Sequence, residues 1–363
     1  MPQIKSRQIG LSFDMFGCPN RCRHCYIGRL PNWNMTEEDV RWAVDQFRRY
    51  TRSGDDHPFF EAINAVTWIR EPDFSDDYKR LYELEVELSD MKTFRAQWEL
   101  MSIWRAARDE GYAPWAHSIG IRTCQMSFFG VGETQDWLHR RKGAFQDCLI
   151  ATERLLDAGI KPRWQLFLTR KILPELGEIL KLVERLRLEE RVRALGGEFT
   201  MFIHPPALSG EGRFLDHLRP TIDEIRAIPS ELIEASLKHM NRDRIWATEG
   251  ETVNRILNEE DKFPYSIADP EELFFIVNGG WNVFTNTGTS CEPWWRLGNL
   301  KKDPLHQIIE NFEQNRSIGL HTVHSVPLKE LAMRYGDPNS RLIDAGVDEL
   351  WVSRYCEEIM GRS

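Results

Sequence analysis

From about residue 8 to residue 205, short apolar runs alternate with amphipathic stretches. That is the rhythm of βα units repeated around a parallel sheet. It narrows the fold more than any other feature, because parallel neighbours need a long crossover between them and the crossovers here carry helical periodicity. The first strand is expected over Gln8 to Phe13. A helix follows from Thr36, with Asp39 as capping-box partner and Val40, Ala43, Val44 and Phe47 as its apolar face. Ala62 to Ile69 reads as a second, buried strand ending at Arg70-Glu71-Pro72, and helices are expected around Asp77 to Leu88 and Phe94 to Arg108. A weak strand is expected near Trp115 to Ile119, and a further strand over Thr123 to Phe129. Ala144 to Ala158 is a helix stopped by Gly159, with Phe145, Cys148, Leu149, Thr152 and Leu156 as its buried face. Trp164 to Thr169 is a strand, Leu176 to Val183 marks a helix, and Phe199 to Ile203 closes the series before His204.

Beyond about residue 215 the pattern changes. Leu273 to Val277 and Trp281 to Thr285 flank Asn278-Gly279-Gly280, a hairpin in which Asn-Gly is expected to take the positive φ. A helix from Asp303-Pro304 follows, with Leu305, Ile308, Ile309 and Phe312 on one face. The 363 residues suffice for one large domain with an appendage or for two.

Three of the seven cysteines, Cys18, Cys22 and Cys25, crowd into the stretch GCPNRCRHCYIG just after the first strand. An odd cysteine count at irregular spacing is a poor disulfide framework and a better ligand set in a reducing compartment. Structural zinc asks for four protein ligands, usually as two separated pairs, and no second pair exists here. His24 lies between Cys22 and Cys25, where reaching the same metal as both would strain the loop. A four-iron, four-sulfur cluster held through three thiolates leaves one iron free to bind a small molecule. Spacing and ligand softness favour that cluster over zinc. Net charge −9 argues against DNA or RNA as the main ligand. The amino terminus MPQIKSRQIG lacks an apolar signal core, and no apolar run is long enough to span a bilayer, so a cytosolic protein is expected with no nucleic-acid or membrane partner.

C-x3-C-x2-C on a loop after the first strand of a βα series resembles the radical S-adenosylmethionine (radical SAM) superfamily. The resemblance implies a partial (βα)6 barrel of the TIM type over residues 1–215, holding one 4Fe–4S cluster and S-adenosylmethionine (SAM). It also implies that the free iron chelates SAM, that reductive cleavage gives a 5'-deoxyadenosyl radical, and that this radical removes hydrogen from substrate. An external one-electron donor such as flavodoxin or ferredoxin is implied. Family members carry Gly-Gly-Glu-Pro after the second strand, where Ile69-Arg70-Glu71-Pro72 keeps the acid and loses both glycines. In the subgroup bearing SPASM or twitch extensions the fourth strand reads Ser-φ-Asp-Gly and a later helix opens on Gly-Ala-Phe. Ser127-Phe128-Phe129-Gly130 and Gly143-Ala144-Phe145 are similar, with Phe129 in place of the acid. Glu71, Ser127, His24 and Arg170 are thereby the candidate cofactor-binding residues. For Arg170 a surface position is an equal reading, and His204 either faces substrate or satisfies a loop carbonyl.

Alternation puts Gln125 with Ser127 on one strand face and Cys124 with Met126 on the other, so Cys124 and the helical Cys148 are expected in the core. Residues 216–363 are expected to form an α+β cap resembling a degenerate twitch or SPASM extension over the mouth of the barrel. Cys291 and Cys356 are too few there for a second cluster. Cys291 is a candidate hydrogen donor to a substrate radical, with an inert buried thiol as the rival reading. Trp294 and Trp295 either wall the pocket or fill the core. A peptide-modifying enzyme often carries a separate leader-recognition domain, for which neither terminus has room, so the expected substrate is a small molecule, with a peptide second. The rival from another class is a non-catalytic iron–sulfur or zinc protein.

Overall fold

A computed structural model describes residues 4–90, 99–264, 273–285 and 290–361. Strands β1 (Gln8–Asp14) and β2 (Ala62–Val66) pair in parallel. Strands β3 (Thr123–Phe128), β4 (Lys161–Phe167) and β5 (Thr200–His204) form a second, three-stranded parallel sheet. In place of the one continuous sheet of a partial (βα)6 barrel there are two sheets, and β2 and β3 are not hydrogen-bonded neighbours among the described strands. The hairpin β6 (Leu273–Asn278) and β7 (Asn282–Thr285), with β8 (Arg296–Asn299), completes the first sheet in the order β2-β1-β6-β7-β8. The boundary expected near residue 215 does not separate the sheets, since β6 runs parallel along β1 with Leu11 opposite Phe275.

Helix α1 (Glu37–Arg48) starts on Thr36, whose hydroxyl accepts the Asp39 N–H while Asp39 accepts the Thr36 N–H. Its buried residues are Val40, Ala43, Val44 and Phe47. With α2 (Tyr78–Leu88) and the helix Leu305–Glu313, it covers the apolar outer face of the first sheet, Ile9, Leu11, Phe13, Ile63, Phe275 and Val277. Each such side chain contributes about 1.5–3 kcal/mol by leaving water. Strand β3 alternates as expected, with Cys124, Met126 and Phe128 buried against the helix Ala144–Asp157 and Gln125 and Ser127 half-exposed. In that helix Cys148 and Thr152 are buried and Phe145 and Leu149 only partly so.

Several local expectations give way. Strand β2 stops at Val66 because the N–H and hydroxyl of Thr67 both donate to Glu85 of α2 (3.0 and 2.8 Å). Trp115 to Ile119 is no strand. Tyr112–Ser118 is a short helix that buries Tyr112, Ala113 and Ala116, and Pro114 falls in its first turn, where the missing N–H costs nothing. Of the helix expected over Phe94 to Arg108, residues 94–98 lie outside the described residues, and only Ile103–Ala106 is helical. In the hairpin turn the positive φ belongs to Trp281 (68°), not to Asn278 or the glycines. Gly279 is needed for another reason: a Cβ there would sit 2.2 Å from Cβ of Trp33.

Candidate functional site

The parallel strands put their carboxyl ends on one side, where α/β folds gather their polar loops. The cysteine loop leaves β1 after Asp14. Cys18, Cys22 and Cys25 are free and part-exposed. The loop is pinned at several points. The N–H groups of Arg21 and Arg23 donate to the carbonyls of His139 and Leu138 (3.1 and 2.7 Å), and the Arg23 guanidinium lies 4.2 Å over Trp137. The Cys25 carbonyl accepts from Gly28 and Glu211 (3.1 and 2.9 Å), and the Ile27 carbonyl accepts from Cys291 (2.8 Å). Asn32 accepts the Cys18 N–H and donates to the Cys18 carbonyl, both at 3.2 Å. Arg141 reaches Asn20 at 2.6 Å.

Burial pushes all three thiols up, Cys18 and Cys22 well up. The Glu71 carboxylate adds to the effect at Cys18, and the Cys18 and Cys25 sulfurs add to it at Cys22. Such thiols hold their protons until a cation replaces them. Glu71 stands beside them, its Oε2 3.9 Å from Cys18 Sγ. Its Oε1 accepts the Ser102 hydroxyl at 2.7 Å. Burial raises its carboxyl to about 7 against that hydrogen bond. Ser102 also caps the short helix Ile103–Ala106.

His24 packs 4.0 Å from the Phe129 ring and 5.2 Å from Phe167, and these two rings stack at 4.6 Å. Its Nδ1 is buried without a partner, and burial, aided by His139 and His204, pushes its pKa well down, so the imidazole is neutral. Ser127 sits on the half-exposed face of β3 opposite Gln165. That inner face is polar: Gln125 donates to Gln165 (2.6 Å), Arg163 donates to Gln125 (2.8 Å), and Gln165 meets His204. Sequence reasoning named Gln125 and His204 and missed Gln165 and Arg163, although the alternation that exposes Ser127 also exposes them.

Arg170 pairs with other residues: its Nε lies 3.1 Å from both oxygens of Glu224 and its Nη1 donates to the His217 carbonyl at 3.3 Å. Cys291 is buried beside the loop, packed with Ile27, Cys25 and Trp294, and burial, with Asp14 adding, raises its thiol. Cys124, Cys148 and Cys356 are core thiols; Cys148 accepts from Gln135 and Cys356 meets Thr322, both at 3.5 Å. Trp294 and Trp295 are buried, and Trp295 also lines a small cavity with Ser209, Asp348 and Glu349.

Among the described residues no three His, Cys, Asp or Glu side chains close around a single metal ion, and no helix is long and apolar enough to cross a membrane. The donor chemistry fits an iron–sulfur cluster: three soft ligands on one loop, held by backbone bonds, with the neighbouring imidazole caged between aromatic rings.

No family model matches the chain, and no curated protein matches it. Solved structures similar to it include native anSMEcpe with bound AdoMet, at 12% identity and TM-score 0.49, covering 98% of this chain and 100% of that one. The same protein with bound AdoMet and Cp18Cys peptide gives 12% identity and TM-score 0.48 over 98% and 99%. Streptococcus suis SuiB bound to precursor peptide SuiA gives 9% identity and TM-score 0.41 over 84% of this chain and 64% of that one.

Proposed function

We propose that the chain is a radical SAM enzyme in which Cys18, Cys22 and Cys25 hold one 4Fe–4S cluster. What supports this is a loop at the carboxyl end of β1 with three free thiols, no fourth cysteine on it, and a buried carboxyl within reach of the first. When bound, the cluster and SAM supply a one-electron cleavage and the abstraction of a hydrogen atom from substrate. The chain's own residues would do the rest. Glu71, already accepting from Ser102, would take the SAM ammonium on its other oxygen. Ser127 would offer its hydroxyl from β3, and neutral His24 with Phe129 and Phe167 would shield the loop from water. Arg170 is left to its ion pair with Glu224. Cys291 would be a hydrogen donor from beneath the loop.

The substrate is a small molecule or a peptide, and anSMEcpe and SuiB have been solved with peptides bound.

The test is anaerobic reconstitution, then SAM and a strong reductant, with detection of 5'-deoxyadenosine. Four irons and four sulfides per chain are expected rather than one zinc. Cys18→Ala, Cys22→Ala or Cys25→Ala should abolish the product and Cys148→Ala should leave it. Product from the triple variant would remove the proposal.

A further inference from the structure

Arg70 stands where the resembled family has glycine, and its surroundings give it a task. Its side chain is 5% exposed and that of Asp14 1%. Nε donates to Asp14 Oδ1 at 3.1 Å and Nη2 to Oδ2 at 2.7 Å, a bidentate pair. The remaining edge of the guanidinium faces the far end of the cysteine loop, with Nη1 donating to the Leu30 carbonyl at 2.9 Å and Nη2 to the Pro31 carbonyl at 2.8 Å. One side chain from beyond β2 thus joins the residue where the loop leaves β1 to the residues where it ends.

The backbone is shaped to admit it. At Gly17 φ is +93°, and a Cβ would lie 2.5 Å from Arg70 Nη2 and 2.3 Å from Asn32 Oδ1. Only glycine lets the chain pass between them. Asn32, next to the clasped carbonyls, holds Cys18 through the two backbone bonds described above and accepts from Arg21 at 3.1 Å.

We propose that the Asp14–Arg70 pair is a clasp that closes the loop of residues 14–32 and presets the spacing of its three sulfurs before any ligand arrives. Arg70 is thus a positioning residue. The fork geometry is essential: an ammonium is a point charge and cannot span a carboxylate and two carbonyls in one plane. Four of the five guanidinium N–H groups are engaged inside the protein, leaving one on Nη1, so the side chain is committed chiefly to the loop. Preset ligands lower the ordering cost of binding. The purpose assigned to the loop rests on the proposed function; its closure does not.

Hydrogen exchange read by mass spectrometry on the cluster-free chain tests the clasp, alongside iron content after anaerobic reconstitution. In Arg70→Met, amides of residues 17–32 should exchange about tenfold faster or more, as a locally opened segment does, while the helix Ala144–Asp157 keeps its protection. Arg70→Lys should not restore the loop, and iron bound per chain should fall in both variants. The near-isosteric Asp14→Asn, which keeps the carbonyl arms, should give an intermediate rate and serves if Arg70→Met does not fold. Unchanged exchange over 17–32 in Arg70→Met or Asp14→Asn, or full rescue by Arg70→Lys, overturns the clasp. If the wild type binds no cluster yet the exchange effect is present, the proposed function fails and the clasp stands. If the wild type loads iron and the exchange is unmoved, the reverse holds.

Discussion

His139 is held neutral by its surroundings, and this makes acid lability calculable. Its ring lies edge-on to Phe129 at 5.4 Å, and its Nδ1 is buried without a partner. Burial, with the Arg141 guanidinium adding, lowers its pKa from 6.5 to about 4, against the weaker pull of Asp136 and Asp147. Between those two values the unfolded chain binds more protons than the folded one, so stability falls as pH falls from 6.5 towards 4. At pH 5 the unfolded imidazole is almost wholly charged and the folded one about one-tenth charged, which makes the loss between pH 7 and pH 5 about 2 kcal/mol from this residue. In a urea titration followed by tryptophan fluorescence, with a slope of about 3 kcal/mol per molar, the midpoint should move by about 0.7 M. His139→Gln removes the titrating group and should shrink the pH-dependent part of the shift by that amount, whatever it does to stability at pH 7. Equal losses in wild type and His139→Gln between pH 7 and pH 5 would refute the reasoning.

Two further predictions concern the scaffold. Thr36→Ala removes the hydroxyl that accepts the Asp39 N–H and breaks the reciprocal box, at a cost of about 1 kcal/mol in urea unfolding. Gly279→Ala drives a methyl onto Trp33 and should cost about 1–3 kcal/mol, with a change in near-ultraviolet circular dichroism as the indole moves.

The legible parts of the chain were those decided by neighbours in sequence. The capping box of α1, the alternation of β3 and the stop at Gly159 are local, and each has a residue-level signature. The cysteine loop was legible for the same reason. What stayed hidden depends on distant partners. Nothing in the spacing of Leu273 to Asn278 says that it lies beside β1, since period-2 patterning records which face is buried and not which strand is adjacent. Trp115 to Ile119, with Trp115 and Ile119 at its ends, reads as a weak strand until Tyr112 and Ala116 are seen on one helical face. Arg70 read as a departure from a pattern, because its four acceptors come from either end of a loop that closes only in three dimensions. Ser102 gave no signal, being an ordinary cap that also reaches Glu71.

The place of β6 between β1 and β7 bears on how the chain is made. As it leaves the ribosome, the strand that leads into the cysteine loop has one edge bare until Leu273 has been translated, because that edge is reserved for a late segment. A fragment ending at residue 215 should therefore aggregate or bind a chaperone rather than fold. Supplying a second fragment that carries β6, β7 and β8 should recover soluble, protected β1. A fragment of residues 1–215 that is monomeric and cooperatively folded would show that β1 tolerates its open edge.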